Sequence, residues 1–342
     1  MESELFGAAT EAPAPILRGP APSTTDPRVG VRVPEGDLRL RIDEILESKL
    51  RTSRIARGTL SVASINTHRG RGPKVEYLLR GAAGPEAERI ALLHDHRAYS
   101  YYIADWLNRN RGFFDVVGLQ EVFNGILGFG ERLFGKFPQH AYYRVFSGYR
   151  AAEAHGVGFA GFRYENLLLS QLEPAREGRI GRLLPGRVFG LAACGFILAP
   201  FRFADRTVWI GNTHLHAYSP RSRMLQAAAL VRTIRGLGDA PVILLGDLNT
   251  VPPGCRDGDF PAGDRDVASY RGDRTLAVLE QSGLRTVAHE DHDAFWTYPT
   301  GAPNRTLDYC LFSRHWEVES YRVEKGFLLS DHYPVVAELR LK

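Results

Sequence analysis

Residues 241–250 read Pro241-Val242-Ile243-Leu244-Leu245-Gly246-Asp247-Leu248-Asn249-Thr250. An apolar run that closes on Gly-Asp-Leu-Asn predicts a buried strand delivering two polar side chains at its C-terminal tip. Asp247 and Asn249 stand two apart, so on an extended backbone they project to one face while Leu248 turns to the other. A carboxylate beside a carboxamide suits phosphate chemistry. The acid can orient a water or hold a hard cation, and the amide can bond a phosphoryl oxygen without adding repulsive charge. Gly, Asp and Asn also serve a strand-to-turn junction for backbone reasons alone, so the other strand ends decide between the two readings.

Working outward from that strand, several further segments end on chemically apt residues. Leu60 to Asn66 alternates as a strand and stops at Asn66. Asp115 to Glu121 reads as a second strand with Glu121 at its tip, and 141–146, 156–162 and 165–170 read as further strands. Leu191–Ala204 and Thr207–His214 predict two long antiparallel strands around a turn at Asp205-Arg206, the second ending in His214-Leu215-His216. Ser219 and Pro220 cap and open a following helix whose buried stripe is expected at Met224, Ala228, Val231 and Ile234. A helix is expected near Arg274–Ser282, and strands over Thr306–Phe312, Glu317–Val323 and Val335–Leu341, with Ser330-Asp331-His332-Tyr333-Pro334 before the last.

Any one of these residues has a structural explanation. Their recurrence points to function, because layered α/β proteins gather strand ends into one crevice. Glu121 is the candidate metal carboxylate, since Mg²⁺ takes oxygen ligands and needs one or two from protein. Asn66 and Asp331 are placed to complete or orient that sphere. His332 is the candidate acid/base group, with Asp308 to fix its tautomer and raise its basicity. His214 is expected to donate to a phosphoryl oxygen, and His216 to support it from the same strand face.

The 342 residues permit one large core, and 44% hydrophobic with 24% charged residues is ordinary for a globular chain. A net charge of +4, with a pI near 9, suits an anionic substrate. Cys194, Cys255 and Cys310 lie far apart, with no disulfide framework or zinc knuckle in their spacing. No signal pattern and no apolar run of membrane-spanning length is present, which makes a cytoplasmic location the default; a leaderless secreted effector would look the same. Residues 1–35, rich in proline, read as a disordered arm, and 36–58 as an amphipathic helical lead-in that docks on the domain beginning at Thr59. A long helix is expected over Pro85–Arg109 with His94 and His96 as ordinary helix histidines, and the Phe/Leu/Gly-rich 123–137 as core or as an apolar lip. The acidic run Asp257, Asp259, Asp264, Asp266 and Asp273 reads as a solvated loop.

Taken together, Ser64-Ile65-Asn66, Leu119-Gln120-Glu121-Val122, Gly211-Asn212-Thr213-His214-Leu215, Gly246-Asp247-Leu248-Asn249, Leu307-Asp308-Tyr309 and Ser330-Asp331-His332-Tyr333-Pro334-Val335 resemble the endonuclease/exonuclease/phosphatase superfamily of metal-dependent phosphoester hydrolases. The resemblance covers about Thr59 to Lys342. It implies an α/β four-layered sandwich of two packed, mostly antiparallel sheets flanked by helices, and inline attack of water on phosphorus. It also implies Mg²⁺, with Mn²⁺ as an alternative, at the Glu121 position and an acid/base pair at His332 and Asp308. Asp247, Asn249 and His214 would handle water and phosphate. His68 departs from the apurinic-site endonuclease branch, which tends to have Asp there. Leu-Gln-Glu-Val-Phe at 119–123 and Asn-Thr-His-Leu-His-Ala at 212–217 look most like the neutral sphingomyelinase branch, implying a phospholipid headgroup as substrate. The pancreatic deoxyribonuclease branch shares the two histidines and makes nucleic acid the alternative. A phosphomonoesterase or a catalytically dead scaffold comes after these.

Overall fold

The structure, a computed structural model, describes residues 23–25, 32–34, 48–49, 51–73, 98–125, 139–159, 162–175, 178, 180–183, 194–255, 260, 264, 266–289 and 292–342. The chain divides into two units, Met1–Lys49 and Leu50–Lys342. In the first, β1 (Ser23–Thr25) pairs antiparallel with β2 (Arg32–Pro34), so two short pieces of the expected disordered arm are paired. The rest of that arm, residues 85–97 of the expected long helix with His94 and His96, residues 126–137 of the apolar segment, and Asp257 and Asp259 lie outside the described residues.

The second unit holds two sheets. One has the order β11 (Asp308–Phe312), β10 (Val242–Asp247), β9 (Arg206–His214), β8 (Gly195–Phe203), β7 (Ile180–Leu183). The other has the order β12 (Trp316–Val323), β13 (Val335–Leu341), β3 (Thr59–Asn66), β4 (Val116–Gly125), β6 (Phe162–Ser170), β5 (Ala151–Phe159). Within these sheets only β9–β10 and β3–β4 run parallel, so both are mostly antiparallel.

The apolar run of β10 is continuous because both its faces are covered. Ile243 and Leu245 enter the core between the sheets with Leu60, Val62, Val116, Ile210 and Val335. Val242 and Leu244 face the other way, onto α3 (Pro220–Arg235) and α4 (Thr275–Glu280) through Leu230, Ile234 and Leu279. On the far side, Ala63, Ile65, Val117 and Leu119 pack under α1 (Ala98–Arg109) and α2 (Gln139–Phe146) through Ile103, Leu107 and Tyr143. Helices, sheet, sheet and helices form the four expected layers. At the helical turn 51–56, Arg51 and Arg54 donate to the fully buried Asp115 at 2.9 and 3.1 Å, and Asp115 also accepts from Ser61 N–H.

Three local expectations are corrected. Residues 141–146 form most of α2 rather than a strand, because burial of Tyr143 and anchoring of Gln139 to Phe123 N–H and Ser100 override the β preference of Tyr, Val and Phe. Ser219 caps α3 as read, but the buried stripe is Arg223, Gln226, Ala227, Leu230, Val231, Thr233 and Ile234, with Met224 and Ala228 half-buried. Two members of the acidic run are not solvated: Asp273 accepts from the fully buried Arg223 Nε at 2.7 Å, and Asp264 pairs with buried Arg305.

Candidate active site

The polar cluster grows out of the core by simple alternation. On β9, β10 and β11, the residues facing the opposite sheet are Val208 and Ile210, then Ile243 and Leu245, then Phe312 and Cys310. Continuing each series by two residues gives Asn212 and His214, then Asp247, then Asp308. The register places Asp247 opposite His214 on one side and opposite Asp308 on the other, so the three stand in a row. From the second sheet, Asn66 at the end of β3 donates its Nδ2 to Asp247 Oδ2 at 2.9 Å. The two sheets thus touch through polar groups at this end.

Glu121 does not obey alternation. Val117 and Leu119 face the helices, and Glu121 would follow them on a regular strand. Instead β4 runs on to Gly125, its register with β6 shifts between Leu119 and Val122, and Glu121 takes φ 55°. The bulge turns the carboxylate back to the site, where Oε1 lies 3.9 Å from His214 Nε2 and Oε2 accepts from Arg69 Nε at 2.8 Å. The expectation of a strand tip is therefore corrected to a bulge within the strand.

Asn249 is also reached by a turn. β10 ends at Asp247, whose Oδ1 accepts from Asn249 N–H at 2.9 Å, and Asn249 has φ 49°. Its amide donates to Leu215 O at 3.1 Å and lies 3.0 Å from His214 Nε2. His216 lies beyond the end of β9, so strand alternation does not reach it. Its Nδ1 accepts from Tyr218 N–H at 3.1 Å, and its backbone is held by Gln226 and Arg223.

His332 Nδ1 and Asp308 Oδ2 are 2.7 Å apart in buried surroundings. His332 Nε2 is 3.9 Å from Asp247 Oδ2 and 4.0 Å from Asp331 Oδ1. Burial alone would lower the His332 pKa, but Asp308, Asp247 and Asp331 together raise it. Burial raises Asp247, and the neighbouring Asp308 raises it further against the pull of His332 and His214. Glu121 behaves oppositely. Burial works against its charge, yet His214, Arg69, His68 and His332 hold it at about 2, so it is ionised at neutral pH.

Three further residues hold this arrangement: Thr297, which carries no sequence signal, and Gln120 and Asn212, which lie within the motifs quoted above. Thr297 Oγ1 accepts from Leu307 N–H and Asp308 N–H at 3.1 and 3.2 Å, while Thr297 O accepts from Tyr333 N–H at 2.7 Å. One buried threonine therefore bonds both segments that carry the Asp308–His332 pair. Gln120 and Asn212 bridge the sheets, Gln120 Nε2 donating to Asn212 Oδ1 at 2.6 Å. Gly118 permits that bridge, since a Cβ there would sit 2.9 Å from the Asn212 amide.

The family model for the Endonuclease/Exonuclease/phosphatase family matches residues 90–332. The chain belongs to this family. Its members hydrolyse phosphoester bonds and generally depend on a divalent metal. Among solved structures, this family member is similar to the endonuclease/exonuclease/phosphatase from Beutenbergia cavernae (18% identity, TM-score 0.59, 83% of this chain and 72% of that one). It also resembles the human Nocturnin catalytic domain with bound sulfate (17%, 0.52, 84% and 94%) and ANGEL2, a 2',3'-cyclic phosphatase, in complex with adenosine-2',3'-vanadate (16%, 0.52, 83% and 96%). At these identities the likeness shows the fold, and it singles out neither the sphingomyelinase nor the deoxyribonuclease branch. No curated protein matches the sequence.

The donor set fits the divalent ion the family implies. Oxygen predominates in it, the Glu121 carboxylate is ionised, and Asp308 Oδ1 is buried without a hydrogen-bond partner. Among the described residues, Asp247, Asp308 and His332 offer ligand atoms within 4.8 Å of one another. Asn66 Oδ1 accepts from His68 N–H at 2.9 Å, and Asp331 Oδ1 lies 3.4 Å from His68 Nδ1. No helix among the described residues is long and apolar enough to cross a membrane.

Proposed function

We propose that this protein is a divalent-metal-dependent phosphodiesterase acting by inline attack of water. The observation that carries the reading is the buried Asp308–His332 pair at 2.7 Å standing beside Asp247, with the ionised Glu121 delivered by a bulge from the facing sheet. Asp247 orients the attacking water and accepts its proton as its raised pKa allows. Asn249, locked by the turn from Asp247, presents its amide beside His214, and together they contact the phosphoryl oxygens. Asp308 accepts from His332 Nδ1–H, and His332, kept protonated by the surrounding carboxylates, gives its Nε2 proton to the leaving-group oxygen. Glu121, with Asn66 and Asp331 completing or orienting the sphere, would hold Mg²⁺ or Mn²⁺, which supplies Lewis-acid neutralisation of phosphoryl charge. Asp308 is assigned to His332 through Oδ2, at 2.7 Å. His216 supports the loop after His214 rather than touching substrate.

The substrate class we propose is the headgroup phosphodiester of a phospholipid. Its support, beside the sphingomyelinase-like motifs, is an exposed aromatic face on α1 and α2. Tyr102 and Phe146 are 52% and 54% exposed, and Tyr101, Tyr142 and Phe146 adjoin in series at 4.4 Å between ring centres. A nucleic-acid diester is the second reading, supported by the basic pI and by the nucleotide-derived ligand that the similar fold of ANGEL2 binds. Hydrolysis of sphingomyelin vesicles and of plasmid DNA, in parallel with Mg²⁺ and with chelator, separates them. Headgroup release without nicking supports the lipid reading. Nicking without headgroup release replaces it with the nuclease.

A further inference from the structure

The loop after β3 holds an arginine that strand periodicity does not mark. His68, Arg69 and Gly70 have φ of 45°, 57° and 68° in succession. Gly70 is needed there, since a Cβ would overlap Ser100 Oγ and Gln139 Nε2. For His68 and Arg69 the left-handed backbone is unfavourable and persists only because surroundings fix it. Gln139 does so, donating from Nε2 to Arg69 O at 2.6 Å and to Ser100 Oγ at 3.0 Å while its Oε1 accepts from Phe123 N–H. The ion-pair partner, Glu121, is itself left-handed. Two strained residues on separate elements are thus held so that their side chains meet at 2.8 Å. Strain at both ends of one pair marks a functional placement rather than a convenient salt bridge.

The charge inventory says what that placement serves. Glu121, Asp247, Asp308 and Asp331 bring four carboxyl groups to the site, and His68, His214 and His332 are cations only when protonated. Arg69 keeps its charge throughout. A phosphoryl group brings further negative charge into this setting, and a guanidinium recognises its oxygens in a planar, multi-donor fork. The Arg69 side chain is 35% exposed, against 2% or less for Asp247 and Asp308, so it stands at the mouth and not in the floor. We infer that Arg69 is a substrate-contacting residue, donating to a non-bridging oxygen of the phosphoryl group while its Nε remains on Glu121. This rests on the phosphoesterase reading above and adds a residue to it.

Calorimetric titration of inorganic phosphate into the full-length protein at saturating Mg²⁺ tests it. The proteins compared are wild type, Arg69→Ala, Arg69→Lys and the neighbouring Arg71→Ala. A charge-assisted contact predicts ~10- to 100-fold weaker phosphate binding for Arg69→Ala. Arg69→Lys should recover part of the loss, and Arg71→Ala should stay within twofold of wild type. Arg69→Gln, which keeps a donor for Glu121, replaces the alanine variant if that fails to fold and should lose more than fivefold. A loss below fivefold at Arg69, an equal loss at Arg71, or no phosphate binding by wild type overturns the inference. Diester turnover by the same proteins keeps the two proposals apart. Wild type that binds phosphate but hydrolyses nothing defeats the proposed function and leaves the arginine contact standing. Active wild type with unimpaired Arg69→Ala defeats the arginine contact alone.

Discussion

Asp308→Asn isolates the proposed acid/base pair while changing one atom. In the folded protein Asp308 Oδ2 faces His332 Nδ1 at 2.7 Å, and both residues are buried. Asparagine presents either its carbonyl, keeping a neutral hydrogen bond, or its amide, which would force the opposite His332 tautomer. In both cases the charge that raises the His332 pKa is lost. Losing a charge-assisted bond of roughly 1.5–3 kcal/mol in the transition state lowers the rate by about 10- to 150-fold. A shifted protonation state or tautomer adds to this, so the total falls within the ~10²–10⁴-fold typical of acid/base catalysis. Stability should change less. The Asp308 Oδ1 position has no partner, so an amide turned there is an orphaned donor costing about 1–3 kcal/mol. The assay is kcat and KM at saturating metal on the preferred phosphodiester, with thermal denaturation of the same samples. The expected result is a kcat loss above a hundredfold with KM within threefold. A folded variant retaining more than a tenth of wild-type kcat refutes the role of the pair.

Three further consequences concern other parts of the molecule. Glu121 has a folded pKa of about 2 against an ordinary 4.5, so its stabilisation is present above about pH 4.5 and is lost as pH falls toward 2. At neutral pH it amounts to roughly 3 kcal/mol; metal-free Glu121→Gln should therefore show a flatter fall of melting temperature between pH 5 and 2.5, and parallel curves would contradict this. Thr297→Val should cost about 1–3 kcal/mol and lower kcat, with Thr297→Ser restoring both, because the serine hydroxyl can still accept from Leu307 and Asp308 N–H; equal behaviour of Val and Ser would remove the hydroxyl from the argument. Arg223→Ala strands buried Asp273 and the carbonyls of His216 and Ala217, so denaturant unfolding should register a loss of ~3–5 kcal/mol. A loss under 1 kcal/mol would mean the pair contributes nothing.

Much of this site was legible because its residues lie on regular continuations of a two-sided core. Asp247 and Asp308 are the next inward-facing positions after Leu245 and Cys310, and His214 follows Ile210 and Asn212 on the same face, so period-two reading finds them. The same rule misplaces residues wherever the chain leaves ideal geometry. Glu121 reaches the site only through a bulge, and Asn249 only through a turn with positive φ. His216 falls past the last strand residue. The buried cations Arg223 and Arg305 were illegible because a polar residue on a helix or loop gives no sign of a partner some 40 to 50 residues away. Arg69, Gln139 and Thr297 were missed for a related reason: each acts through backbone carbonyls or amides, or through a strained turn, and neither leaves a periodic trace.

The central claim is that residues from both sheets form one metal-dependent phosphoesterase centre. The most direct test is hydrolysis of bis-p-nitrophenyl phosphate by chelator-stripped wild type, Glu121→Gln and His332→Ala as Mg²⁺ is added back. The account predicts turnover that rises with Mg²⁺ in wild type, is absent in Glu121→Gln at every concentration, and is at least a hundredfold lower in folded His332→Ala at saturation. Turnover insensitive to metal, or folded variants that match wild type, would contradict it.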